Sequence, residues 1–154
     1  MKYPKPSKMP EKEIKKKVKS KRQLLTLECD KLFRAIVRTR SNFTCNFCQE
    51  KKYNKHSQTA HIFSRGHIWT RWNLRNALCL CYYHHILDAH RHPLEFAERV
   101  KEYIGQETYE ELRKLSLKSE PMYINDLENI RDGLKEEWKK YSGTLVIFLE
   151  KEHK

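Results

Sequence analysis

The run Asn76-Ala77-Leu78-Cys79-Leu80-Cys81-Tyr82-Tyr83-His84-His85 decides how the chain is read. It passes from an apolar stretch into the pair Cys81-x2-His84, and a second pair, Cys45-x2-Cys48, ends thirty-three residues before Cys81. This spacing lets two tight turns face one ion, so Cys45, Cys48, Cys81 and His84 read as a Cys3His zinc set. The bland alternative is four unrelated buried or surface side chains. His85 competes with His84 as fourth ligand, because adjacent residues of a helix point about 100° apart and only one can face the zinc; the regular x2 spacing favours His84. Cys79, within the apolar run, and Cys29, on a helix face, read as core residues. A four-ligand structural zinc leaves no open position, so any chemistry needs a second site.

Around this centre the composition is basic. There are 32 Lys+Arg against 20 Asp+Glu in 154 residues, a net charge of +12, and such a field draws polyanions, with nucleic acid first and an anionic membrane surface as competitor. The longest apolar run, Leu145 to Leu149, is far too short to span a bilayer. The first residues lack the apolar stretch of a secretory signal, and five cysteines, an odd number, do not make a secreted disulfide framework. Metal-bound thiolates in a reducing, intracellular compartment fit better.

Three regions are expected. Residues 1–22 hold ten Lys/Arg and two acidic residues, and Lys15, Lys16 and Lys17 in this basic arm are candidate phosphate contacts, the alternative being a solubilising tail. Residues 23–92 combine a helix, starting from about Lys12, with the metal-binding core. Leu25, Cys29, Leu32, Phe33 and Ile36 mark that helix's buried face. Residues 93–154 form a helical region: Phe96 to Ile104 before Gly105, a short helix through Tyr109, Leu112 and Leu115, a longer one from Ile124 to Tyr141, and a terminal strand at Thr144–Leu149.

Three further residues offer a constellation that could cut a phosphodiester: His61 in Thr59-Ala60-His61-Ile62-Phe63, Asn76, and His85. With the two zinc pairs around them, their order and their spacings of fifteen and nine residues resemble the HNH endonucleases. The longer stretch from Leu32-Phe33 through His61-Ile62-Phe63-Ser64-Arg65 and Thr70-Arg71-Trp72-Asn73-Leu74-Arg75-Asn76 to Cys81 is similar to the bacteriophage NinG/Rap recombination proteins.

The resemblance implies an α+β fold, a zinc-stapled ββα-metal core flanked by a long N-terminal helix and C-terminal helices. It implies metal-dependent hydrolysis of DNA in a bacterial or phage setting, with branched recombination intermediates as substrate. His61 would be the general base, a role that an imidazole suits near neutral pH. His85 would hold a catalytic Mg2+ or Mn2+, Asn76 would fix the loop carrying His61 or ligate that ion, and Arg65 would clamp a phosphate oxygen. Ala60 departs from the family pattern, which often has a metal-binding carboxylate there. Asp88, three residues after His85, is the candidate second ligand, with Asn76 and His90 behind it.

Arg65, Arg71 and Arg75 read as nucleic-acid contacts or as a solvated face, and Trp69 and Trp72 as base-stacking or packing residues. Lone histidines such as His67, His90 and His92 read more readily as surface or hydrogen-bonded residues than as ligands. Cutting both strands would call for a homodimer or two successive visits. Two other readings stand beside the nuclease: a non-catalytic zinc-stabilised DNA-binding protein, and an RNA-binding or assembly module.

Overall fold

The computed structural model describes residues 18–49 and 57–141. Lys15, Lys16, Lys17 and the expected strand Thr144–Leu149 lie outside them. Helix α1 spans Lys21–Arg40. The Ser20 hydroxyl accepts from the Gln23 amide at 3.3 Å while the Gln23 side chain accepts from the Ser20 amide at 2.9 Å, a reciprocal cap that satisfies two amides otherwise orphaned at a helix start. Among the described residues the helix therefore begins at Lys21, with Val18–Ser20 non-helical. At its other end Asn42 and Phe43 take left-handed conformations, φ 48° and 56°, and turn the chain towards the first cysteine pair.

Two strands follow. β1 (Ser57–His61) pairs antiparallel with β2 (Ala77–Cys81), with Ser57 opposite Cys81 and His61 opposite Ala77. Every residue of β2 is buried, because both faces of this small sheet are covered. Ala77 and Cys79 join Leu25, Cys29, Phe33 and Ile36 of α1 in one apolar cluster, whereas Leu78 and Leu80 join Phe96 and Val100 in another. Side chains alternate across a strand, so this one apolar run serves both cores.

Beyond β2 the chain enters a π turn, Tyr83–Asp88, and a short helix α2, Ala89–Arg91. Helix α3 (Pro93–Ile104) opens on a proline, whose missing amide costs nothing at a helix start. Gly105 at φ 85°, a left-handed position that suits glycine, separates it from α4 (Gln106–Ser116). Helix α5 (Ile124–Lys139) lays Leu127 and Leu134 into the α1 cluster. The described residues thus form an α+β fold of five helices and a two-stranded sheet. Within residues 93–141, Phe96 and Val100 belong to one core and Leu127 and Leu134 to the other, so this region packs against the one that precedes it. No helix among the described residues is long and apolar enough to cross a membrane.

Candidate metal centre and histidine cleft

Cys45, Cys48, Cys81 and His84 bring their ligand atoms within 4.8 Å of one another. The Cys81 Sγ lies 3.2 Å from His84 Nδ1, Cys45 Sγ 3.5 Å from the same nitrogen, and Cys48 Sγ 4.0 Å from Cys81 Sγ. A tetrahedral zinc with sulfur at about 2.3 Å and nitrogen at about 2.1 Å has ligand-ligand edges of roughly 3.5–3.8 Å. The four residues fit such an ion with small adjustments and can hold a metal such as zinc.

Local bonds explain the fit. The Asn46 amide donates to the Cys79 carbonyl at 2.8 Å, and the Cys79 amide to Asn46 Oδ1 at 2.7 Å, which pins the first cysteine turn to β2. Gln49, with φ 57°, closes that turn by donating to the Cys45 carbonyl at 2.9 Å. Burial opposes ionisation of Cys45, but the backbone amides of Cys48, Cys81 and Phe47 around its sulfur bring the thiol below its ordinary pKa, as a thiolate ligand requires. Burial has the opposite outcome at Cys79 and Cys29, both pushed up to about 11. They stay protonated core residues.

The second cluster of titratable groups lies in a cleft of about 370 Å³ lined by His61, Ser64, His67, His85 and His90, with Phe63, Phe96 and Tyr109 on its apolar side. His61 ends β1. Its ring stacks on Phe33 at 5.1 Å, and its Nε2 lies 3.0 Å from the Arg71 carbonyl oxygen. A carbonyl can only accept, so Nε2 carries the proton and the lone pair is on Nδ1. Burial, the largest influence, lowers the His61 pKa; the Arg71 carbonyl opposes this and the Arg65 charge adds to it. The ring is therefore neutral near pH 7.

His85 enters from the π turn. Its Nδ1 meets Gln58 Oε1 at 2.6 Å, so with the amide in this orientation Nδ1 donates and Nε2 keeps its lone pair. Burial, then the neighbouring His90 and His61, lower its pKa. The cleft thus holds two neutral imidazoles, each fixed by a hydrogen bond to one nitrogen and open at the other.

Asn76 is not among the residues that line the cleft. Fully buried, it receives the Phe63 amide at 2.8 Å on Oδ1 and donates through Nδ2 to the carbonyls of Phe63 at 2.9 Å and Thr70 at 3.0 Å. Both donor hydrogens and one lone pair of Oδ1 are thus engaged by the backbone of the loop after His61. It ties down both ends of the segment that leaves His61.

Other expected site residues are committed elsewhere. Asp88 is buried against Arg99 as an ion pair and does not line the cleft. The π turn explains this: the Ala89 amide bonds to the His84 carbonyl five residues back, and this wider turn rotates the third residue after His85 away from it. Arg71 grips Asp30 through two bonds of 3.1 and 2.7 Å, and Trp72 Nε1 donates to the same carboxylate at 2.8 Å. The Asp30 carboxyl, though burial resists its ionisation, is held below its usual range by these partners. Arg71 is thus a brace between loop and α1. Arg75 pairs with Glu111 at 2.6 Å on the surface. Trp72 is buried, and Trp69 donates to the Glu120 carbonyl at 2.8 Å with Lys118 over its ring, so both tryptophans pack the fold. Arg65 remains exposed, has no ion-pair partner among the described residues, and lies close enough to act on His61.

His67 and His90, expected as surface or hydrogen-bonded histidines with His90 also a fallback ligand, both line the cleft, and His90 is exposed. His67 Nδ1 reaches the Ser116 carbonyl at 2.9 Å, a contact across 49 residues that no local pattern signals. No protein-family model matches the chain, and no curated protein or solved structure matches it either.

Proposed function

We propose that the protein is a metal-dependent endonuclease of the HNH type that hydrolyses DNA phosphodiester bonds, with zinc as the ion in the Cys3His centre. The observation that carries this reading is the pair of complementary imidazoles in one cleft: His61, with an open Nδ1, and His85, with an open Nε2. The first has the form of a general base, the second that of a metal ligand. A divalent cation, Mg2+ or Mn2+, bound at His85 supplies Lewis-acid stabilisation of the charge that builds on the phosphate and the departing 3′ oxygen.

The chain's own groups do the rest. His61 Nδ1 takes a proton from the attacking water, and its Nε2–H, held on the Arg71 carbonyl, keeps the ring in the tautomer that leaves Nδ1 free. Arg65, exposed near His61, offers a guanidinium to a phosphate oxygen. Gln58 fixes His85, and Asn76 fixes the loop between His61 and Arg65. The zinc centre holds the π turn beside β1, which sets where His85 enters the cleft. The net charge of +12 supports a polyanionic substrate. Branched recombination intermediates are the narrower substrate class within this proposal.

The test is incubation of the zinc-loaded chain and of His61→Ala with supercoiled plasmid and with a synthetic four-way junction, under Mg2+, Mn2+ or chelator. Nicking that needs the metal and disappears in the variant is the expected outcome, and faster cutting of the junction would support the branched substrate. DNA left intact throughout, but still bound, would favour a non-catalytic zinc-stabilised DNA-binding protein.

A further inference from the structure

The π turn does more than remove Asp88 from the cleft. In an α-helix the fifth residue after His85 would point about 140° away from it, on nearly the opposite side. The π turn of about 4.4 residues per turn covers the first three of those steps and ordinary helix the last two, so the angle falls to roughly 85°. The residue five positions on is His90. Its ring centroid lies 5.5 Å from that of His85, with the planes 42° apart, and both rings line the same cleft. Two imidazoles bound to one cation at about 2.1 Å, with a bond angle between 90° and 110°, have centroids roughly 4.6–5.3 Å apart. The observed pair needs only a few tenths of an ångström of closure. His85 already turns its open Nε2 away from Gln58, and His90, exposed and without a hydrogen bond among the described residues, has no competing contact to break.

We propose that His90 is the second protein ligand of the cleft's cation, so that the site is a bis-imidazole pair whose remaining positions are left to water and phosphate. This rests on the reading of His85 as a metal ligand. It changes the expected metal: two nitrogen donors and no carboxylate suit Mn2+, Co2+ or Ni2+, whereas Mg2+ takes oxygen ligands and keeps its water. It also answers the departure at Ala60, since the donor missing before His61 is replaced from the other side of the cleft.

The experiment is calorimetric titration of the zinc-loaded chain with Ni2+, and separately with Mn2+ followed by the electron-paramagnetic-resonance signal of the free ion. Wild type is compared with His90→Ala, His85→Gln and His92→Ala, and a melting curve of each variant verifies folding. Exposed His90 is not part of either core, so its variant should melt with wild type. The expected result is one Ni2+ bound beyond the zinc, an affinity at least about tenfold weaker in His90→Ala, by analogy with the loss of even an outer-shell metal partner, no binding in His85→Gln, and no change in His92→Ala. Unchanged affinity in His90→Ala with binding lost in His85→Gln would overturn the His90 assignment and leave His85 as a ligand. Absence of a second metal from wild type, or equal binding in His85→Gln, would overturn the reading of His85 and the pair with it.

Discussion

At the scale of single residues the proposed chemistry turns on one nitrogen, with His61 as its base. His61 is useful as a base only while Nδ1 is unprotonated, and burial together with the Arg65 charge keeps its pKa below the ordinary imidazole value. Cutting should therefore be fully supported by this group at neutral pH and decline only as pH falls through a point below about 6.5. Arg65→Ala removes a cation that disfavours a second positive charge, so the His61 pKa rises and the acid limb of the rate profile moves to higher pH. A limb that stays in place, or moves lower, would contradict this electrostatic link. His61→Ala should lower the rate about 10²–10⁴-fold, the usual contribution of a positioned base, without affecting the zinc content. The same sign governs stability. Between the folded and unfolded pKa values of His61 the unfolded chain binds the proton and the folded chain refuses it, so this group's contribution falls as the solution is acidified below about 6.5.

Asn76 shows a different dependence, on geometry alone. Its amide satisfies one buried amide and two carbonyls, and truncation leaves those groups unpaired at a cost of about 1–3 kcal/mol each where water cannot enter. Asn76→Ala should therefore lower the midpoint of urea unfolding as well as activity. Asn76→Asp, which keeps the acceptor but loses two donors, should be only partly better. Activity lost with an unchanged midpoint would instead assign Asn76 a direct part in the chemistry.

Among the elements, the Cys3His centre brings together the turn at 45–48, the end of β2 and the π turn that carries His85, and a metal held there would add to the Asn46–Cys79 and Gln58–His85 bonds between them. Structural zinc binding is coupled to folding. Cys48→Ala should lose the metal, and even a loss of about 4 kcal/mol, modest beside the binding energies of such sites, would lower the melting temperature by about 10 °C in a domain of this size. Zinc content by elemental analysis with a melting curve measures both, and a stable metal-free variant would remove the metal from the account of the fold. The sequence exposes this centre because its ligands come in two local pairs whose spacing reports a turn. It also exposes α1 and α5, whose apolar residues keep helical phase, and the roles of Cys29 and Cys79 as core residues. Asp88 and His90 exchange places because a residue string does not disclose that the helix after Cys81 is a π turn, and face assignments assume 3.6 residues per turn. Arg71 reads as a phosphate contact because its partner Asp30 lies 41 residues away. Such pairings are made by packing, and neither residue alone announces them.

For the molecule as a whole, the question is how a chain with so few uncommitted cations near His61 among the described residues would hold a duplex. Arg71 is spent on Asp30 and Arg75 faces Glu111, which leaves Arg65 as the exposed cation adjoining His61. Seven lysines and two glutamates lie within residues 1–17, a net +5 of the total +12. If that charge meets phosphate, binding must carry the signature of counterion release, in which log K falls with log salt by about 0.9 for each phosphate neutralised on duplex DNA. Removing residues 1–17 should then flatten the slope by several units and weaken binding to every DNA sequence alike, whereas Arg65→Ala should flatten it by about one. Fluorescence anisotropy on a matched duplex and on a four-way junction, from about 50 to 200 mM salt, reads both slopes. Because phosphate contacts position without specifying, the arm should contribute equally to the two DNA forms. A shortened chain that loses its affinity for the junction but keeps that for the duplex would instead make residues 1–17 the part that recognises branching, and an unchanged slope would show that the phosphates are met by the folded surface.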